Sequence, residues 1–167
     1  IMDEGGVSMD ESLRTNDSVT QAVSLYADML VRVCFTYMKN IQDAEEITQE
    51  TFLKLMEKQP VFQNEEHRKA WLLRVAINLC KNRLKSSWFR KTRSLGETDI
   101  PFTPEESNVL NAVQQLPVKY RSVIHLYYIE GYSISEIGTL LKRKKTTIAS
   151  QLHRGRMILK SKLEGDF

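Results

Sequence analysis

From Pro117 to Leu163 the chain carries three apolar stripes of helical period separated by two short breaks, a spacing that admits few folds. Val123, Ile124, Leu126, Tyr127 and Ile129 form the first stripe, which stops at Gly131. Ser133 and Glu136 then stand at S-x-x-E spacing, which predicts a capping box opening a short helix with Ile134, Ile137, Leu140 and Leu141 inward. A basic turn, Lys142 to Lys145, feeds a longer helix from about Thr146 to Leu163. A short helix, a tight turn and a second helix bearing Ser, His and Arg make a helix-turn-helix, which presents its second helix to a major groove. A plain three-helix bundle with a solvated basic face would give a similar pattern. The basic run sits where phosphates would lie, which favours DNA.

Charge is patterned along the chain. Residues 1–66 sum to −8, residues 67–93 to +9 with no acid, residues 94–118 to −4 and residues 119–167 to +6. Two basic blocks separated by an acidic connector are the footprint of a polyanion held at two places.

The remaining periodicity is also helical. A first helix is expected from about Ser18 to Lys39, with Val19, Ala22, Val23, Tyr26, Leu30, Val33, Cys34 and Tyr37 on one face. Asp43 and Glu46 are spaced as a second capping box, opening a helix with Ile47, Thr51, Phe52, Leu55 and Met56 inward and Glu45, Glu46, Gln49 and Glu50 outward. Residues 59–66 read as a loop. A third helix, about Arg68 to Trp88, places Trp71, Leu72, Val75, Ala76 and Leu79 inward and Arg74, Asn78, Lys81, Asn82, Arg83 and Lys85 outward. Gly96, Pro101 and Pro104 mark a linker. The fold class is therefore all-α: two small helical domains joined by a short linker, the C-terminal one a helix-turn-helix. Residues 1–16 are expected to be a disordered tail, 17–93 the first domain, 94–104 the linker and 105–167 the second domain.

Taken together, "DAEEITQETFLKL" at 43–55, "AWLLRVAINLCKNRLK" at 70–85, "LPVKYRSVIHLYYIEGYSISEIG" at 116–138 and "TTIASQLHRGR" at 146–156 resemble the extracytoplasmic-function sigma factors of bacterial RNA polymerase. The resemblance spans nearly the whole chain beyond residue 16. It implies a transcription initiation factor that binds core RNA polymerase and promoter DNA. It implies polymerase contact through Asp43, Glu46, Gln49 and Glu50, and capture of a flipped −10 base by the 59–66 loop and Asn78. Phe62 is a candidate wall of that pocket; Trp71 reads first as core. Arg74, Lys81, Asn82, Arg83 and Lys85 complete the −10 set, with cations for phosphates and amides for base edges. The −35 set is Lys144, Lys145, Thr147, Ser150, Gln151, His153 and Arg154, with Arg154 suited to a bidentate guanine contact. Relatives usually carry a glycine and an apolar residue where this chain has Lys142 and Arg143, and basic residues where it has Ala149 and Gln151. An altered −35 preference with phosphate affinity retained is expected.

An enzyme reading is weak. His67, His125 and His153 are dispersed, and the sequence shows no Ser-His-Asp set, metal-ligand spacing or phosphate-cradling glycine loop, so no cofactor or metal is expected. Cys34 and Cys80 lack C-x-x-C spacing and read as buried reduced thiols. With neither a membrane-length apolar run nor a signal peptide, a cytoplasmic protein without membrane contact is expected. An alternative is a stand-alone helix-turn-helix regulator that needs no polymerase and binds a paired site as a dimer. Two small domains on a short linker could also be clamped by an inhibitory anti-sigma partner.

Overall fold

The computed structural model describes residues 9–86 and 104–165, and among these it has seven helices and no strand. They are α1 (Met9–Met38), α2 (Ile41–Lys58), α3 (Glu65–Lys85), α4 (Pro104–Gln114), α5 (Val118–Tyr128), α6 (Ile134–Leu141) and α7 (Lys145–Glu164). The linker expected at 94–104 lies outside the described residues up to Pro104, as do Trp88, Arg90, Lys91, Arg93 and residues 1–8.

The first domain is a three-helix unit in which α1 packs on α2 and α3. Leu30, Val33 and Cys34 of α1 meet Ala44, Ile47 and Leu55 of α2 and Leu72, Ala76 and Cys80 of α3, all buried. Both cysteines are free and buried. Three details depart from the sequence reading. Helix α1 begins at Met9 rather than near Ser18, so part of the expected tail is helical. Helix α2 is capped by Asn40, whose side chain accepts from the Asp43 N–H, and not by an Asp43–Glu46 box. Helix α3 starts at Glu65 under an Asn64 cap, and its buried face is Leu72, Leu73, Ala76, Ile77 and Cys80, while Trp71, Val75 and Leu79 are half-buried. That rotation of about one residue follows from α3 packing against α1 and α2 together, which sequence periodicity does not reveal.

The second domain is built on α5, α6 and α7. Val123, Leu126, Ile137, Leu141, Ile148 and Leu152 fill its centre. The expected capping box is present: the Glu136 N–H donates to Ser133 Oγ at 3.1 Å, and the Ser133 N–H donates to Glu136 Oε2 at 2.8 Å. Lys142 ends α6 in the left-handed region, with φ 54°. The turn needs a glycine elsewhere, at Gly138, where a Cβ would lie 2.9 Å from the Arg143 carbonyl oxygen. Because L residues resist positive φ, Lys142→Gly is expected to raise stability by up to about 1 kcal/mol. Chemical denaturation checks this, and a loss of stability would show that the Lys142 side chain outweighs its backbone strain.

The two domains dock. Helix α1 packs on α5 and α3 on α6, and the two cores merge into one cluster of buried side chains. At the centre of the contact Arg121 is buried. Its Nε donates to Thr36 O, Nη2 to Tyr37 O at 3.0 Å, and Nη1 to Leu116 O at 2.7 Å and Gln114 O at 3.4 Å. Beside it, Thr36 Oγ1 donates to Arg32 O and lies 2.8 Å from His125 Nδ1. His125 Nε2 and Arg32 Nε both reach Glu130 Oε1 at 3.2 Å. Burial opposes ionisation of Glu130, but the hydrogen bonds from His125 and Arg32 outweigh it and hold its pKa below the usual carboxylate value. A depressed carboxylate pKa stabilises the fold above the unfolded value of about 4.3, and the contribution is lost as pH falls through the folded value. Docking is therefore expected to loosen below about pH 4. Glu130→Gln should shrink the acid-dependent part of the melting temperature, and an unchanged acid profile in that variant would count against Glu130.

Candidate nucleic-acid interface

Helix α7 is exposed along one side because Ile148, Leu152 and Gly155 turn the other side into the core. Gly155 admits this packing: a Cβ there would meet Ile124 at 3.0 Å. Along the exposed side, Thr147, Ser150, Gln151 and Arg154 line an open groove of about 380 Å³ with Lys119, Tyr120 and Thr146. Four of the seven expected −35 residues thus share one surface. Lys144 and Lys145 are exposed at the helix N-terminus, and His153 is exposed further along. The sequence reading missed Lys119 and Tyr120, because they belong to α5 and reach the groove only through tertiary packing. Lys119 Nζ sits 4.9 Å from the Tyr120 ring centroid. A hydrogen bond from Arg154 draws the Tyr120 hydroxyl pKa below the phenol value, against burial and with help from Lys119. Arg156 donates to Tyr128 Oη at 3.2 Å, so it is engaged within the protein.

On α3, Asn78, Asn82 and Lys85 are exposed and Lys81 is half-buried. Their helical spacing lines them up, with amides and cations in alternation. Burial lowers the Lys81 pKa, and the charges of Arg143, Lys85 and Lys142 lower it further, so the basic parts of the two domains approach one another. Arg74 is half-buried and lines a cleft of about 410 Å³ between α3 and α6, with Lys69, Glu130, Tyr132 and Glu136 among its walls. Phe62 packs edge-on to Trp71, with ring centroids 5.8 Å apart, and to His67 at 5.4 Å. Phe62 and Trp71 are both half-buried, so Phe62 of the loop before α3 joins His67 and Trp71 of α3 in an aromatic cluster at the surface.

Arg83, expected in the −10 set, makes ion pairs within the first domain. Its guanidinium reaches Glu46 Oε2 at 3.0 Å and Asp43 Oδ1 at 3.6 Å. Asp43 is itself buried, with 3% exposure, which does not fit the exposed polymerase contact that the resemblance implied for it. A carboxylate there binds α3 to α2. What α2 does present is Glu46, Gln49 and Glu50 around Leu53, 61% exposed, and Met56, 42% exposed. Met56, expected inward, is thus at the surface, and Leu53 had no assigned role. Their signal in the sequence is a surplus of apolar residues beyond one core stripe. Among the described residues, no group of three His, Cys, Asp or Glu could hold a metal ion, and no helix is long and apolar enough to cross a membrane.

Comparison with known proteins decides the family. Residues 22–90 match the profile of Sigma-70 region 2, and residues 107–159 match that of Sigma-70, region 4. The ECF RNA polymerase sigma factor SigW of Bacillus subtilis (strain 168) is 30% identical over 88% of this chain and 89% of its own length. The chain belongs to the extracytoplasmic-function sigma factors. Two solved structures share the fold. One is CnrH in complex with the cytosolic domain of CnrY, with TM-score 0.69 and 19% identity, covering 93% of this chain and 96% of that one. The other is the sigma factor RpoE in complex with the anti-sigma factor NepR from Bartonella quintana, with TM-score 0.73 and 21% identity, covering 90% and 99%. As a sigma factor the protein is a non-enzymatic initiation factor that binds core RNA polymerase and directs promoter recognition through regions 2 and 4. Region 2 comprises most of α1 together with α2 and α3, and region 4 holds the helix-turn-helix, so a stand-alone regulator using the second domain alone leaves half the chain unexplained.

Proposed function

We propose that this sigma factor divides promoter recognition between α3 and α7 and polymerase contact among residues of α2. The observation that carries the reading is the groove along α7, where Thr147, Ser150, Gln151 and Arg154 stand together beside the cations of the turn. Lys144 and Lys145 at the helix N-terminus suit phosphates, and the groove side chains suit the −35 base edges. In region 2, Lys81 and Lys85 hold a strand by its phosphates, while Asn78 and Asn82 offer donors and acceptors to an unstacked −10 base. The Phe62–Trp71 pair supplies an aromatic surface at the loop where such a base would arrive. Arg74 serves this strand only in part, because part of its side chain faces the cleft between the domains. Arg83 acts by tying α3 to Asp43 and Glu46 of α2, with no direct DNA contact.

On α2, Leu53 and Met56 form an apolar centre with Glu46, Gln49 and Glu50 as an acidic and polar rim, suited to a basic amphipathic helix of core polymerase. The protein acts in the cytoplasm, where polymerase and promoter are. The complexes of CnrH with CnrY and of RpoE with NepR support an inhibitory anti-sigma partner for this chain as well.

Competition tests the reading. The purified protein is titrated against a housekeeping sigma factor for core polymerase, and the resulting holoenzyme transcribes fragmented host DNA. Displacement together with start sites preceded by two shared elements is the expected result. Binding to duplex DNA with no affinity for core would refute it.

A further inference from the structure

We infer that Arg143 is a positioning residue for base recognition: it holds the Gln151 amide with its oxygen turned inward, so that the amide offers the DNA donors alone. The inference rests on the assignment of α7 to the −35 duplex.

Arg143 occupies the turn between α6 and α7. Its backbone N–H donates to Gly138 O at 2.9 Å, and its own carbonyl lies so close to Gly138 that a Cβ there would collide with it. The backbone from which the side chain departs is therefore fixed by tight contacts. The guanidinium is half-buried, within electrostatic reach of Tyr37 and Lys81 and so directed toward the first domain. Its side-chain hydrogen bond runs from Nη1 to Gln151 Oε1 at 3.0 Å.

A guanidinium carries donors and no acceptor. The bond therefore selects one of the two orientations of the amide: Oε1 faces Arg143, and the two N–H groups of Nε2 are left for other partners. Gln151 is half-buried and stands on the wall of the α7 groove, beside Ser150 and Arg154. An unrestrained glutamine in a major groove pairs bidentately with adenine, accepting from N6 and donating to N7. With Oε1 turned to Arg143, one of its two lone pairs is taken and the oxygen is aimed away from the base, so the bidentate pairing with adenine is disfavoured. The remaining donors still match guanine, whose N7 and O6 both accept, and they meet only a donor on cytosine N4. Arg143 thus sets which base Gln151 favours without touching the base.

The test uses holoenzyme reconstituted from core polymerase and the full chain, transcribing promoters that carry each base in turn at every −35 position. Ratios between templates cancel any loss of active protein. Arg143→Ala should raise adenine relative to guanine at one position by about five- to tenfold. Gln151→Ala should flatten preference at that same position, and adding Arg143→Ala to it should change nothing further there. Arg143→Lys should keep the guanine preference, because an ammonium also only donates. A uniform fall in yield on all templates with Arg143→Ala, or an unchanged Arg143→Ala effect in the Gln151→Ala background, would overturn the inference. If Ser150→Ala and Arg154→Ala alter base preference while the Arg143 and Gln151 variants do not, the inference fails and the −35 assignment stands. If no α7 variant alters any base preference, the assignment itself fails.

Discussion

Arg121→Ala is expected to lower the free energy of unfolding by about 3–4 kcal/mol. Thr36 and Tyr37 lie in the last turn of α1, Gln114 ends α4, and Leu116 lies in the turn just after it. Helix C-termini leave carbonyls without intrahelical donors and carry partial negative charge. One buried guanidinium serves both ends at once, donating to the carbonyls of all four residues. Burial lowers its pKa from the usual arginine value, with Tyr37 opposing the change, and its hydrogen bonds offset that desolvation. Truncation would leave several buried carbonyls without a donor and a cavity between the domains. Arg121→Lys separates charge from shape. An ammonium keeps the attraction to the helix ends but lacks the planar fork that spans carbonyls on two domains, so most of the loss should remain. Denaturant titration gives the stability, and amide exchange at the end of α1 reports where protection falls. Full recovery by lysine would show that charge at the helix ends, rather than the shared set of hydrogen bonds, holds the domains together.

Leu53→Glu is expected to weaken binding to core polymerase by about thirtyfold or more while leaving the fold intact, corresponding to about 2 kcal/mol. Leu53 is 61% exposed, so its substitution removes little from the core of region 2. At the centre of an interface the same change would place an ionised carboxylate where apolar contact is needed, next to Glu46, Gln49 and Glu50. Equilibrium binding of labelled protein to core polymerase measures the effect, and thermal melting controls for folding. Asp43→Asn is the informative contrast. Asp43 is buried against Arg83, so its substitution should lower stability and leave the affinity of the folded fraction close to that of the native chain. Equal affinity for Leu53→Glu and the unaltered chain would place the polymerase face elsewhere.

The helical period, the Ser133–Glu136 box and the alternation of acidic and basic blocks were enough to indicate an all-α chain with a helix-turn-helix at its C-terminal end. These are local properties: capping and periodicity act over three to seven residues and are legible without knowledge of packing. The exposed stations of α7 at Thr147, Ser150 and Arg154 follow from the same period once Ile148 and Leu152 are assigned to the core. Tertiary structure decided what depends on two or more elements. Asp43 and Glu46 have the same charge and lie on the same helix, yet Asp43 is buried against Arg83 while Glu46 remains mostly exposed. The helical period puts Glu46 opposite the core stripe and Asp43 only at its border, and it is the packing of α3 on α2 that makes the border position buried. Likewise Arg121 and His125 look like polar positions on an amphipathic helix until α1 brings the carbonyl oxygens of Thr36 and Tyr37 and the Thr36 hydroxyl to them. The sequence by itself determined most of the helical segments and where along the chain charge is concentrated. Packing alone determined which polar side chains are used up inside the molecule, because a buried charge is stable only beside partners supplied by another part of the chain.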